Sequence, residues 1–303
     1  MAFITNLVWD FIKSSFLKGF NDIYGTNIFA KLEFFNIGGS IKDRTAQGLV
    51  EKAFKRGSLK ENMSVVESTS GNLGFSLAIL SKKYKFKLIC VIDPKCPKKN
   101  IDFYQAYGCE IVMVDKKDAT GGYQKNRIAV AKQIESSRDN CLNLDQYNNY
   151  DAQEVHYETT GPEIYKQMDG EIGSIISCVS TGSHLSGIAK YLKEQNKNIK
   201  TVAVEPVGSV VFGGIYEPYQ QNGSGLSFTP RNYNKKYIDY EIKVSDNDAF
   251  STVKKVIDSD GLLVGSSSGA VLFAAKKLSL IGNSIVIIAD SGQKYLNTLE
   301  FRG

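Results

Sequence analysis

The chain has 303 residues, 42% of them apolar and 23% charged, with a formal net charge of +5, which is enough material for one large or two medium cores, two being the expected number. Its lysines are spread along the whole length instead of gathering in an arm or stripe, which weighs against a nucleic-acid surface. Five cysteines (Cys90, Cys96, Cys109, Cys141, Cys178) form no CxxC pair and there are two histidines, so neither a zinc site nor a disulfide framework is indicated, and reduced, cytoplasmic thiols fit best.

Met1 to Phe20 is apolar but interrupted by Asp10, Lys13 and Lys18. It therefore reads as no spanning helix and, lacking a basic start and a small-residue cleavage site, as no signal peptide. Ile4, Leu7, Val8, Phe11 and Ile12 recur at helical spacing, as in a packed surface helix or a dimer arm. From Ile28 onward, short β-branched or aromatic runs alternate with longer helical patterns, the signature of a parallel sheet with crossover helices. Strands are expected at 28–33, 63–67, 87–92, 110–114, 174–179, 201–205 and 284–289. Helices are expected at 43–56, 73–84, 98–107, 123–136, 158–167, 185–195, 246–258 and 270–278. The polar stretch Asn143 to Gln153 is where the chain is expected to pass between domains. Gly213 to Asn234 is too long for an ordinary connection of about 4 to 6 residues and suggests a lid or an active-site wall.

Four turns carry the chemistry. Asn36-Ile37-Gly38-Gly39-Ser40-Ile41-Lys42-Asp43-Arg44 delivers one amine to a helix start. Lys42 is either an imine-forming lysine for an aldehyde cofactor or part of an ordinary solvated first turn. Ser68-Thr69-Ser70-Gly71-Asn72-Leu73-Gly74 offers hydroxyls and amides suited to a carboxylate, and Ser180-Thr181-Gly182-Ser183-His184 offers the same to a phosphate, each ahead of a helix. Gly265-Ser266-Ser267-Ser268-Gly269 precedes another. Singly, each is also ordinary helix capping. Walker A and spaced dinucleotide fingerprints are absent, which disfavours nucleotide cofactors.

Together the lysine turn, the carboxylate turn and the phosphate turn describe a site for pyridoxal phosphate and an amino acid. The chain resembles the cysteine synthase and cystathionine β-synthase family of pyridoxal-phosphate enzymes, over roughly residues 29–296. The motifs that carry the resemblance, in one order, are Lys31-Leu32-Glu33 with Asn36 to Arg44, Thr69-Ser70-Gly71-Asn72, His156 to Ile164, Gly265 to Gly269 and Asp290-Ser291-Gly292-Gln293-Lys294-Tyr295. Two departures are a phosphate turn poorer in glycine, with Ser180 and His184 added, and a shorter segment around Gly25-Thr26 where the family has Gly-x-Thr-Pro. Within the family, Glu67 to Gly74, Asp118 to Tyr123, Arg127-Ile128-Ala129, Gln146-Tyr147, Ser180-Thr181 and Gly208 to Gly213 look like the N-(2-amino-2-carboxyethyl)-L-glutamate synthases.

The resemblance implies an α/β chain of the tryptophan synthase β-like fold (fold type II), with two three-layer domains and mostly parallel sheets. Residues 35–147 would form a smaller, mobile substrate-binding domain; 1–34 and 148–303 would form a larger domain that binds the cofactor phosphate. It implies a β-replacement at a β-substituted L-serine through an aminoacrylate, with O-phospho-L-serine and L-glutamate as substrates on the way to 2,3-diaminopropionate, a siderophore and antibiotic building block. Lys42 would hold the cofactor and act as the base. Asn72, Ser180, Thr181, Gly182, Ser183, His184 and Ser267 would bind the cofactor, with Ser268 the alternative at the pyridine nitrogen. Thr69, Ser70, Asn72 and Gln146 would take the substrate carboxylate, and Arg127, Tyr147 and Ser180 the phosphoserine. A planar guanidinium suits a phosphate, which it binds through paired hydrogen bonds; Arg127 on a solvated helix face is the plain alternative. His156 is expected to be structural, and His184 to contribute its amide only. A homodimer is implied, with no metal, nucleic acid or membrane partner. The competing readings are a cysteine synthase using O-acetylserine and sulfide, a cysteine lyase releasing sulfide, and a regulatory homologue without catalysis.

Overall fold

The computed structural model describes residues 17–19 and 27–296. The expected helical face from Ile4 to Ile12 and the Gly25-Thr26 segment lie outside the described residues. In chain order the elements are β1 (Leu17–Gly19), β2 (Ile28–Leu32), α1 (Lys42–Lys55), β3 (Ser64–Ser68), α2 (Asn72–Tyr84), β4 (Lys87–Ile92), α3 (Lys98–Ala106), β5 (Glu110–Met113), α4 (Gln124–Ser137), β6 (Cys141–Asn143), α5 (Asp151–Val155), α6 (Gly161–Gln167), β7 (Ser174–Cys178), α7 (Ser183–Gln195), β8 (Lys200–Pro206), β9 (Tyr240–Val244), α8 (Asp246–Asp260), α9 (Ser266–Leu278) and β10 (Ser284–Ile288). A π-helical turn, His156–Thr160, joins α5 to α6. No helix of the described residues is long and apolar enough to cross a membrane.

The chain forms two compact units: Lys42–Ala152, and the described residues up to Ile41 together with those from Gln153 on. The unit Lys42–Ala152 holds a four-stranded parallel sheet in the order β5-β4-β3-β6. β4, Lys-Leu-Ile-Cys-Val-Ile, is buried at every position but the first, the pattern of a strand covered on both faces. Val66, Ile89 and Val91 pack with Ala131 of α4 and Val114 in one cluster. The chain runs outward from β3 through β4 to β5 and then returns to the other side of β3 as β6. The strand order thus reverses between β3 and β6, and in open α/β sheets ligands bind at the carboxyl ends of the strands that flank such a point. Thr69–Asn72 leaves one of those ends and Leu144–Tyr147 the other.

The second unit holds a six-stranded sheet, β1-β2-β10-β7-β8-β9, parallel except for β1, which pairs antiparallel with β2. Ile28, Ala30 and Leu32 of β2, Val286 and Ile288 of β10, Ile176 of β7 and Val202 of β8 share a core with Val253 and Val256 of α8 and Val271 and Leu272 of α9. Here the order reverses between β7 and β10, whose carboxyl ends lead into Val179–Gly182 and Ala289–Ser291.

Several elements differ from expectation. α9 begins at Ser266, four residues earlier than the apolar pattern indicated, so the serine triplet lies inside the helix. α5 and the π-helical turn carry the helix expected at 158–167 back to Asp151. The three-residue β6 and the partly exposed edge strand β9, Tyr-Glu-Ile-Lys-Val, have too little apolar content to be read as strands.

Candidate active site

The turn that presents Lys42 is held from both ends. The Asn36 side-chain amide donates to Glu33 O (2.9 Å), Glu33 Oε2 (2.8 Å) and Ser40 O (3.1 Å). Gly39 N donates to Asn36 O (2.8 Å) with φ at +75°, which a residue with a side chain rarely adopts. From the chain's other end, Lys294 Nζ donates to Gly38 O (2.6 Å), Ser40 pairs antiparallel with Asp290, and Ile41 N donates to Ala289 O (2.9 Å). Lys42 therefore leaves a fixed backbone as the first residue of α1, the helix end at which the dipole disfavours an ammonium. Asp43, Arg44 and Thr45 are each at most 3% exposed. A solvated first turn is ruled out by that burial.

In the unit Lys42–Ala152, the turn after β3 is braced from below. Thr69 Oγ1 accepts from Gly74 N (3.1 Å), capping α2. Ser70 O accepts from Asn100 Nδ2 (2.9 Å) and the Cys96 thiol (3.4 Å), and Gly71 O accepts from the Tyr104 hydroxyl (3.0 Å). Gly74 is required there, since a Cβ would stand 2.6 Å from Tyr104 Oη. Ser70, Gly71 and Asn72 are left half-buried at the positive end of α2, where the first amides of a helix lack carbonyl partners within it.

Across the switch point, Gln146 Nε2 donates to Ser68 O (3.0 Å) and Glu67 Oε1 (3.4 Å), and Gln146 N donates to Glu67 Oε2 (3.4 Å). Burial, reinforced by the Asp145 charge, raises the Glu67 carboxyl to about 8. Glu67 is thus a neutral acid at pH 7 that ties Gln146 to the carboxylate turn.

Arg127 on α4 is 5% exposed, so the solvated-face alternative fails. Its Nη1 donates to Ser70 Oγ (2.8 Å) and lies 3.0 Å from Asp93 Oδ2, while its Nε is buried with no hydrogen-bond partner. Tyr147 is 5% exposed; burial raises its pKa and the Arg127 charge partly opposes this.

In the other unit, the turn after β7 passes through Gly182 at φ +76°, where a Cβ would stand 2.6 Å from Tyr233 Cα. Thr181 Oγ1 and Ser183 Oγ are 2.9 Å apart, and Ser180 is half-buried. The His184 ring turns back to Ser177 Oγ (2.7 Å), and His156 Nδ1 lies 2.8 Å from Thr160 Oγ1. Both rings are thus engaged within the fold.

The long segment after β8 is tied to the fold at several points. Glu205 Oε2 accepts from Ser209 Oγ (2.6 Å) and Val211 N (2.8 Å), Gly225 N donates to Val179 O (2.8 Å), and Asn222 N donates to Ser266 Oγ (3.0 Å). At the start of α9, Ser267 and Ser268 are 2% and 0% exposed and neither Oγ has a hydrogen-bond partner. A buried unpaired hydroxyl costs about 1 to 3 kcal/mol, so two in succession fit a ligand atom that one of them bonds. Within this unit, the orphaned serine hydroxyls and the glycine-cradled turn after β7 fit the ring nitrogen and the phosphate of a phosphorylated pyridine cofactor.

Comparison with known proteins agrees. A family profile described as pyridoxal-phosphate dependent enzyme matches residues 15–290. The chain is 35% identical over 291 residues, 95% of its length and 94% of the relative's, to an O-acetylserine dependent cystathionine beta-synthase of Bacillus subtilis (strain 168). It superposes with a TM-score of 0.87 and 32% identity on the crystal structure of a hydrogen sulfide-producing enzyme from Fusobacterium nucleatum, covering 95% of this chain and 99% of that one.

Proposed function

Because the chain belongs to the family of pyridoxal-phosphate dependent enzymes, we propose that it catalyses a β-replacement on a β-substituted L-serine, taking O-phospho-L-serine and L-glutamate to N-(2-amino-2-carboxyethyl)-L-glutamate and phosphate. When bound, pyridoxal phosphate supplies an electron sink for charge that develops at the substrate Cα.

In this reading Lys42 Nζ anchors the cofactor and carries the proton to and from the substrate Cα. Ser180, Thr181, Gly182, Ser183 and His184 hold the cofactor phosphate, Asn72 its ring oxygen, and Ser267 or Ser268 its pyridine nitrogen. Thr69, Ser70 and Asn72 take the substrate carboxylate. Gln146 joins them on that carboxylate and also orients the turn through Ser68 and Glu67. Arg127, Tyr147 and Ser180 receive the leaving phosphate group. Residues 35–147 form the substrate-binding domain; 1–34 and 148–303 form the phosphate-binding one. A homodimer in the cytoplasm, supplying 2,3-diaminopropionate synthesis, goes with this reading.

The observation that carries the phosphoserine assignment is the buried Arg127 guanidinium beside Ser70, with one unpartnered N–H. The test is phosphate release from O-phosphoserine against acetate release from O-acetylserine, followed by mass identification of the product with glutamate, sulfide or cysteine. Turnover of O-acetylserine alone overturns the phosphoserine assignment.

A second reading, sulfur chemistry on O-acetylserine or cysteine with cystathionine, cysteine or sulfide as product, is favoured by Asp93. Its carboxylate already offsets the Arg127 charge, leaving a site tolerant of a neutral ester, and the relatives' names point the same way. A protein that shows no visible cofactor band with added pyridoxal phosphate would instead be a regulatory homologue.

A further inference from the structure

Arg127 stands on the core side of α4, one turn before Ala131, the other buried residue of that helix. A guanidinium on such a face needs a counter-charge, and the chain leaving β4 supplies one. Asp93, the first residue after β4, is 6% exposed, and its Oδ2 lies 3.0 Å from Arg127 Nη1. Its Oδ1 accepts from Lys95 N (2.9 Å) and its carbonyl from Cys96 N (2.9 Å). The carboxylate is thus fixed by its own turn.

That turn reaches the end of the neighbouring strand. β3 and β4 are parallel partners, and Thr69 N donates to Val91 O (3.1 Å) one residue past β3. The Cys96 thiol donates to Ser70 O (3.4 Å), and Arg127 Nη1, beside Asp93, donates to Ser70 Oγ (2.8 Å). Both oxygens of Ser70 are therefore held by groups that Asp93 orients. A serine hydroxyl has one hydrogen to give and two lone pairs to receive with. When a cation takes a lone pair, the hydrogen is still there to be given, and the charged donor upstream strengthens the bond it makes. Ser70 is half-buried at the positive end of α2, a place suited to a carboxylate.

We infer that Asp93 is a positioning residue for the amino-acid substrate: it fixes Arg127, and Arg127 makes the Ser70 hydroxyl a directed donor to the substrate carboxylate. This role presupposes that Ser70 takes the carboxylate, as in the proposed reaction, and it holds whichever group leaves the substrate Cβ. Arg127 Nε takes no part in the chain, so it remains for the leaving phosphate of that reaction. The plain alternative, an ion pair that only packs α4 against the sheet, gives no reason for the second acceptor of the guanidinium to be a serine of the turn after β3.

The test reads binding to the holoenzyme from the shift of its visible cofactor band, with L-alanine and ethylamine as probes. These two amines differ by the carboxylate, and neither carries a leaving group. Wild type is expected to bind L-alanine the more tightly. Ser70→Ala is expected to weaken L-alanine about tenfold and Asp93→Asn about fivefold, with ethylamine unchanged in both. The double variant is expected to match Ser70→Ala alone, because members of one hydrogen-bonded chain do not add. Should Asp93→Asn fold poorly with Arg127 left uncompensated, Asp93→Asn combined with Arg127→Met removes both charges and is expected to show the same loss, again on L-alanine only. Equal losses on both probes would make Asp93 structural and overturn the inference. So would L-alanine binding that Asp93→Asn leaves intact, or a double variant whose losses multiply. L-alanine binding that Ser70→Ala leaves intact overturns the carboxylate role of Ser70 itself, and the role of Asp93 with it.

Discussion

Glu67 is a carboxyl group folded into a place where its charge is unwelcome. It is 1% exposed, its acceptors face Ser68 N and the Gln146 amides, and the nearby charge of Asp145 is of the same sign. Its pKa is displaced upward, from 4.5 to about 8, so the folded state holds a proton that the unfolded chain has released. Stability from this group is full below pH 4.5 and is lost as pH rises to about 8. The displacement corresponds to a loss on the order of 5 kcal/mol at about 1.4 kcal/mol per pKa unit. Urea midpoints taken at pH 6 and pH 9 are expected to fall steeply in the wild type and to stay nearly level in Glu67→Gln, which carries the amide in place of the acid. The serine pair at the start of α9 offers a second residue-scale test. Alanine at whichever of Ser267 and Ser268 bonds the cofactor is expected to weaken its retention about tenfold, for a loss near 1.4 kcal/mol. Alanine at the other removes an unsatisfied hydroxyl and leaves retention unchanged or the fold slightly more stable. Cofactor release followed by absorbance distinguishes the two.

At the scale of elements, α3 acts as a brace for the turn after β3. Asn100 holds Ser70 O and Tyr104 holds Gly71 O from one helix, so the amides at the start of α2 keep their direction without help from a ligand. Tyr104→Phe removes one of those bonds while keeping the ring. It is expected to raise the substrate KM about fivefold, the effect of roughly 1 kcal/mol, with kcat unchanged; a fall in kcat at constant KM would contradict a positioning role. A second element-scale device ties β2 to α6. Lys31, 0% exposed in the strand, bonds Glu163 and, at 2.7 Å, Gln167 Oε1. Glu163→Ala removes a carboxylate from a buried ammonium and is expected to cost about 3 to 5 kcal/mol, whereas Lys31→Met with Glu163→Gln replaces the pair by neutral groups and is expected to cost far less. Chemical denaturation of the three proteins decides between a pair that stabilises and a pair that is merely costly to break.

For the whole molecule, the sheet orders explain why these turns stand out in the sequence. Thr69–Asn72, Val179–Gly182 and the run ending at Lys42 all leave the carboxyl ends of parallel strands, where α/β folds put their ligands, and each is short, glycine-bearing and local in sequence. What was not legible is what depends on pairing across long separations. Lys294 on Gly38, Ala289 on Ile41, Asp93 on Arg127 and Glu67 on Gln146 join residues far apart in the chain, and no local pattern announces them. β6 and β9 escaped for a different reason, since three residues at one edge and a half-polar strand at another bury too little to show a period. The start of α9 was misplaced because serines inside a first helical turn look like a cap preceding it. Those serines and Lys42 suggest how cofactor and fold are linked. A ligand held only by the folded chain stabilises it by about 2.7 kcal/mol at a hundredfold excess over its Kd, which for domains of this size moves Tm by roughly 5 to 10 °C. Stripping the holoenzyme with hydroxylamine is therefore expected to lower Tm by that amount, and adding pyridoxal phosphate back to restore it. In Lys42→Ala the restored fraction is expected to be smaller at equal cofactor, since the anchor is gone while the phosphate turn and the serines remain. Equal recovery in the variant would mean that Lys42 contributes nothing to holding the cofactor.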